Sequence, residues 1–221
     1  MDLESSLAER SAFVTGADGF IGSHLVDTLV DLDADVHAFV RATSSGELRN
    51  IRTHAENVTI HRGDLRDRHS VQQALRALEG HDEAIVFHLG AQAHVGESWE
   101  RPYETIDSNI IGTLNLLQSI VELDLDIAKF DTAGTSEEYG NIKEEMRGKH
   151  ELRDDGGVML NERSPVNPTS IYATSKLAAD FLTMNYHDAY SLPTVTTRMF
   201  NNYGPRQNPR YITGTIITQA L

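Results

Sequence analysis

The sequence contains no cysteine, which removes disulfide frameworks, thiolate metal centres and cysteine nucleophiles together. Positive charge is scarce as well: 19 Lys and Arg stand against 33 Asp and Glu in 221 residues, and the lysines are Lys129, Lys143, Lys149 and Lys176. A chain so short of cations is a poor partner for nucleic acid or an anionic membrane. The same acidic, lysine-poor balance suits a protein kept soluble in high salt, because carboxylates hold water and tolerate screening; an acidic enzyme from ordinary salt would look alike. The opening residues, MDLESSLAERSAFVTG, carry acids and no long apolar run, so neither a signal peptide nor a membrane anchor is expected, and the expected compartment is the cytoplasm. The ten histidines show no HExxH or paired spacing. No metal site is therefore expected, and His88, at a strand end, is expected to be packed or hydrogen-bonded.

What is present is an alternation of apolar runs and amphipathic stretches. SAFVTG, DVHAFV, NVTIHRGD, EAIVFHLGA, IAKFDTAG and PTVTTRMF read as six strands, separated by helical patterns such as FIGSHLVDTLVDL, where Phe20, Ile21, Leu25, Leu29 and Leu32 share a face. The pattern predicts an α/β fold, a doubly wound parallel sheet of Rossmann type. Lys143 to Gly157 is charged and aperiodic and reads as a solvated loop. The helical stretch NIIGTLNLLQSIVEL is apolar around much of its circumference, which fits burial against a partner helix or in the chain's own core.

Between the first strand and first helix lies TGADGFIG, with Gly16, Gly19 and Gly22 three apart and Asp18, Phe20 and Ile21 among them. Such a turn lets backbone N–H groups approach a pyrophosphate at the positive end of a helix. The second strand ends in FVRATSS, placing Arg41 where a dinucleotide fold reads the ribose. A guanidinium there, with Thr43, Ser44 and Ser45 beside it, matches a 2′-phosphate better than a 2′-hydroxyl, so NADP is expected, with NAD as the alternative. Asp64 and Leu65 after the third strand, and Leu89, Gly90, Ala91 and Gln92 after the fourth, fall at the same rim.

In SIYATSK, Tyr172 and Lys176 stand four apart on one helix face. An ammonium near a phenol stabilises the phenolate, lowering a pKa near 10, and a phenol so tuned can take a proton from a substrate hydroxyl. In GTSEEYG, Glu137 follows Thr135 and Ser136, and its neighbour Glu138 is expected to be surface charge.

Seven stretches in order, TGADGFIGSHLVD, GDLRD, VFHLGAQAHVGES, NIIGTLNLL, GTSEEYG, YATSK and RMFNNYGPRQ, resemble the extended short-chain dehydrogenase/reductases that include the nucleotide-sugar epimerases and dehydratases. The resemblance implies an NAD(P)-binding domain over residues 1–200 and, over 201–221, only the beginning of a smaller domain that binds a nucleoside diphosphate sugar. It also implies a homodimer or higher homo-oligomer. Thr135-Ser136-Glu137 is similar to the dehydratase pattern, in particular that of the GDP-mannose 4,6-dehydratases, and implies a nucleotide-sugar 4,6-dehydratase; a 4-epimerase and a non-catalytic cofactor-binding module are the alternatives. The roles implied are Tyr172 as base at O4, Lys176 tuning it and contacting the cofactor, Thr135 hydrogen-bonding O4, Glu137 removing the C5 proton, and Ser136, Asn201 and Arg206 contacting substrate.

Overall fold

The computed structural model describes residues 7–8, 10–43 and 45–220. Ser44, one of the hydroxyls expected beside Arg41, lies outside the described residues.

The chain opens with strand β1 (Ser11–Thr15), helix α1 (Phe20–Asp31) and strand β2 (Asp35–Arg41). A 3-10 turn at Arg52–His54 leads to β3 (Thr59–Gly63), α2 (Arg68–Leu75) and β4 (Ala84–His88). Next come α3 (Val95–Glu100), α4 (Pro102–Ile106), a π-helical turn (Asp107–Ile111), α5 (Gly112–Glu122) and β5 (Ile127–Ala133). After a short hairpin of β6 (Glu151–Leu152) and β7 (Val158–Met159), the chain continues through α6 (Ile171–Tyr190), β8 (Thr194–Thr197) and α7 (Ile212–Ala220). The six predicted strands form one sheet in the order β3-β2-β1-β4-β5-β8, every pair parallel. This is the doubly wound order, in which the chain reverses direction across the sheet between β1 and β4.

Burial explains the strand sequences. β1 is central and buried along its whole length, so it reads as a continuous apolar run instead of an alternation. Its side chains still divide by the pleat: Phe13 joins Phe39, Val86, Leu116, Leu117, Ile120 and Phe130 on one side, while Ala12 and Val14 join Val26, Leu29, Val36, Ala38 and Val40 on the other. Leu116, Leu117 and Ile120 of α5 are therefore consumed by the chain's own core, and that helix has little apolar face left for a partner.

Two local expectations change. The segment read as a solvated loop contains a 3-10 stretch at Glu144–Lys149 and the β6-β7 hairpin. Its strands are two residues long and half-buried at most, which leaves no apolar period to read. On α1 the buried residues are Gly22, Ser23, Val26 and Leu29. The contact face carries small residues because the helix lies close to the glycine turn: a Cβ on Gly22 would sit 2.2 Å from the Gly16 carbonyl oxygen.

Candidate active site

The glycine turn sits at the C-terminal end of β1. Gly16 has φ +66°, and a Cβ there would come within 2.9 Å of the Gly90 backbone, so this position needs glycine on both conformational and steric grounds. The turn closes through Gly19 N–H donating to Gly16 O at 2.9 Å. Helix α1 then starts from Gly19 with no side-chain cap and no acid in its first turn. Its first N–H groups are thus left for an anion, which is what a dinucleotide pyrophosphate requires. Backbone-only lining and an uncapped helix start fit such a cofactor.

Around this turn, several predicted cofactor residues act on the protein itself. Asp18 accepts from the N–H groups of Arg49, Asn50 and Ile51 at 2.6–3.1 Å, and so fixes the segment after β2 as a wall. Asp64 is held by Arg66 (2.6 and 2.9 Å), whose guanidinium keeps the carboxyl below its usual range. Leu65 packs between Gly90 and Gly112, where a Cβ on either would meet its side chain. Arg41 is two-thirds exposed at the end of β2 and is paired with Glu104 at 3.1 Å. Gln92 takes Asn109 Oδ1 on its N–H at 2.8 Å, and Asn109 in turn donates to Gln92 O and to Ser175 Oγ. Asn109 sits in the π turn, which interrupts the single long helix expected from the sequence and ties the end of β4 to α6.

His88 is packed as expected. It is buried between Thr15 Oγ1 (2.8 Å at Nδ1) and Thr113 Oγ1 (2.9 Å at Nε2). Thr113 donates its proton to Asn109 O and Thr15 accepts from Gly90 N–H. Those bonds fix the tautomer: Nε2 carries the proton and Nδ1 accepts from Thr15. Burial, then the nearby Lys176 charge, push its pKa down to about 3.

Across the sheet, β5 delivers Gly134 and a 3-10 turn, Ser136–Glu138, capped by Thr135. Thr135 Oγ1 accepts Glu137 N–H at 3.2 Å, and Glu138 Oε1 accepts Thr135 N–H at 2.9 Å. The Thr135 side chain is near enough to the Tyr172 phenol to favour its phenolate, whereas Glu138 and Glu137 disfavour it. Ser136 is bound through its N–H to Met199 O at 2.8 Å. Tyr172 stands in the first turn of α6, whose N-cap Ser170 accepts from Ala173 N–H at 3.0 Å. Thr135, Glu137, Tyr172 and, one turn on, Lys176 thus converge at the C-terminal rim of β5.

Burial pushes Tyr172 up to about 12. Lys176 faces Glu138 and Asp180, and burial pulls its own pKa down to about 8. Glu138, expected at the surface, is fully buried instead. It meets Arg198 Nε at 2.8 Å, and Arg198 reaches Asp180 at 2.6 Å. Burial raises the Glu138 carboxyl pKa against the pull of Thr135 N–H, Arg198 and Lys176. Two carboxylates and two cations therefore balance beneath Thr135 and Tyr172. The signal for Glu138 was in the sequence: Thr135-x-x-Glu138 is a capping-box spacing, which turns the third acid side chain back inward.

The C-terminal segment crosses the same rim. Asn201 is exposed; Arg206 pairs with Asp27 of α1 at 2.8 Å, and His24 meets Pro205 O at 3.2 Å. Tyr211, which also disfavours the Tyr172 phenolate, packs its ring 5.5 Å from His94. Arg206 thus stands with α1, not beside Thr135 and Tyr172.

Sheet order, glycine turn and the Tyr172-Lys176 helix define the class as an extended short-chain dehydrogenase/reductase of the epimerase and dehydratase type. Residues 13–221 match the family described as GDP-mannose 4,6 dehydratase, and the chain belongs to that family. A GDP-mannose 4,6-dehydratase of Sordaria araneosa is 35% identical over 96% of this chain and 36% of its own. Among solved structures, UDP-glucose 4-epimerase of Thermus thermophilus in complex with NAD has TM-score 0.76 and 32% identity over 95% of this chain and 61% of its own. A dTDP-glucose 4,6-dehydratase of Streptomyces venezuelae with NAD bound has TM-score 0.80 and 29% identity over 95% and 62%. The chain spans about half the length of the curated relatives it matches.

Proposed function

We propose that the chain carries the catalytic half of a nucleotide-sugar 4,6-dehydratase. The observation that supports it is Glu137: a half-buried carboxylate on the capped turn of Thr135, beside the Tyr172 phenol. Tyr172 takes the proton of the sugar C4 hydroxyl and Thr135 hydrogen-bonds that oxygen. The glycine turn at Gly16–Gly22 and Lys176 would hold a nicotinamide dinucleotide, which would supply a hydride acceptor for C4 and a hydride donor for C6. Glu137 removes the C5 proton, made acidic by the C4 ketone, and passes it to the C6 hydroxyl, which leaves as water; once hydride has added at C6 of the resulting 4-keto-5,6-ene, a proton from solvent returns to C5 through Glu137. The high Tyr172 pKa marks a phenol that is protonated at neutral pH, so it needs the charge of Lys176 and a bound cofactor to act as a base.

A 4-epimerase needs no carboxylate at Glu137, and the epimerase among the structural neighbours makes it the second reading. Glu137→Gln separates the two with GDP-mannose as the first substrate tried. A dehydratase loses 4-keto-6-deoxy product by about 10²-fold or more while still exchanging hydride at C4; unchanged product formation refutes the assignment.

Three finer proposals accompany this reading. Arg41 selects NADP: it is freed by breaking one exposed ion pair, which costs at most about 1 kcal/mol, and Arg41→Ala should weaken NADP about tenfold while sparing NAD. The chain forms a homodimer through α3, α4 and α6, where Trp99, Tyr103, Phe181 and Met184 stand exposed; Tyr103→Glu should give a monomer by light scattering. The protein works in the cytoplasm; no described helix is long and apolar enough to cross a membrane.

A further inference from the structure

At the opposite edge of the sheet from the glycine turn, three strands begin with side chains outside the chemistry above. Asp35 and His37 are two apart on β2 and so share one face. His37 Nε2 lies 3.2 Å from Asp35 Oδ2. His81, in the turn before β4, brings a ring nitrogen to the same place, so that one ligand atom from each of Asp35, His37 and His81 falls within 4.8 Å of the others. Ser11 of β1 bridges the group, its Oγ 3.2 Å from Asp35 Oδ2 and 2.6 Å from His81 Nδ1. On the far side, His37 Nδ1 meets His61 Nε2 of β3 at 3.1 Å, the two rings stacked at 5.4 Å.

We propose that Asp35, His37 and His81 bind a divalent transition-metal ion, zinc by donor type, as a clasp joining β2 to the turn before β4. Two imidazoles and one carboxylate are a zinc donor set, and ligands bonded at about 2.1 Å in a tetrahedron stand about 3.4 Å apart. The Asp35–His37 pair already has that separation. His81 closes the remaining gap of about 1 Å or a little more, and it is free to do so, being exposed just beyond Gly80 at φ +82°. The shell behind the ligands is in place. With Nε2 on the metal, His37 Nδ1–H donates to His61 Nε2, the type of outer contact that fixes tautomer and ring orientation. Asp35 and His81 both face solvent, which gives the ion an entry path and leaves the fourth position to water. The sequence concealed the site because its donors come from Asp-x-His on a strand and from a histidine 44 residues further on, not from one helix.

Isothermal titration with ZnCl2 tests this, with Co2+ absorption as a second probe. The expected result is one saturable site per chain, weakened about tenfold or more by His81→Ala and by Asp35→Asn, with the visible Co2+ bands lost in both. His69→Ala, an exposed histidine on α2, should leave binding unchanged. Both ligand substitutions are at exposed side chains, and circular dichroism confirms that the variants fold. Zinc at a hundredfold excess over Kd should raise the wild-type Tm by ~5–10 °C. Weak binding at several sites, equal in all four proteins, overturns the proposal, as does tight binding that neither ligand substitution reduces.

Discussion

Acidification should loosen this fold through His88 before the carboxylates are protonated. The imidazole is buried, accepts from Thr15 at Nδ1 and donates to Thr113 from Nε2, and its folded pKa is about 3 against 6.5 for a free histidine. Between those values the unfolded chain binds a proton that the folded one refuses, so stability falls as pH drops below 6.5. Each pH unit costs about 1.4 kcal/mol, so the loss at pH 5 is ~2 kcal/mol and the full span is ~5 kcal/mol. The structural reason is local. A proton on Nδ1 turns the Thr15 hydroxyl out of its bond, while Thr15 must still accept Gly90 N–H beside the glycine turn. Urea unfolding of wild type and His88→Gln at pH 7 and pH 5 isolates the effect. The variant is weaker at pH 7 but should lose ~2 kcal/mol less than wild type on going to pH 5. If the gap between the two proteins is the same at both pH values, His88 is not held neutral by the fold and the reasoning fails.

Other outcomes follow from the same contacts. Glu138→Leu leaves Arg198 paired with Asp180 but strips Lys176 and Arg198 of a buried partner, so it should cost ~3 kcal/mol, the low end for breaking a buried pair, seen as a Tm drop of ~6–12 °C. Gly22→Ala places a Cβ 2.2 Å from a backbone oxygen; a loss of ~3 kcal/mol is expected by urea melt, the top of the overpacking range, together with loss of cofactor binding by fluorescence. Lys176, fully buried with a folded pKa of about 8 against 10.5, sheds its proton before the unfolded chain does. Stability should therefore rise with pH between 8 and 10.5, and Lys176→Met should remove that slope in a pH series of melting curves.

The six strands were legible because a central parallel sheet needs apolar runs, and the glycine turn because Gly16 and Gly22 have backbone neighbours where a Cβ would be. Two features were not legible. The π turn at Asp107–Ile111 shifts the helix by less than the apolar pattern resolves, although it aims Asn109 at Gln92 and Ser175. The surroundings of Lys176 were the other, because spacing sets which helix face a side chain shares but not which charges crowd around it. Burial is the largest influence on both the Tyr172 and the Lys176 pKa, and the carboxylates that face the ammonium come from β5's exit turn and from α6 itself.

That arrangement has a consequence for the acids of GTSEEYG. Adjacent residues on a 3-10 turn point about 120° apart, so once Thr135 caps the turn and Glu138 folds back to its N–H, Glu137 must face the rim. One acid is consumed in holding the turn, and that is what leaves the other facing the rim. Replacing Glu138 should therefore misplace Glu137 as well as weaken the fold: Glu138→Gln, which keeps an acceptor for Thr135 N–H, should retain far more dehydratase turnover than Glu138→Leu, measured as kcat on equally folded protein. Equal turnover in the two variants would show that the capping carboxylate does not position Glu137.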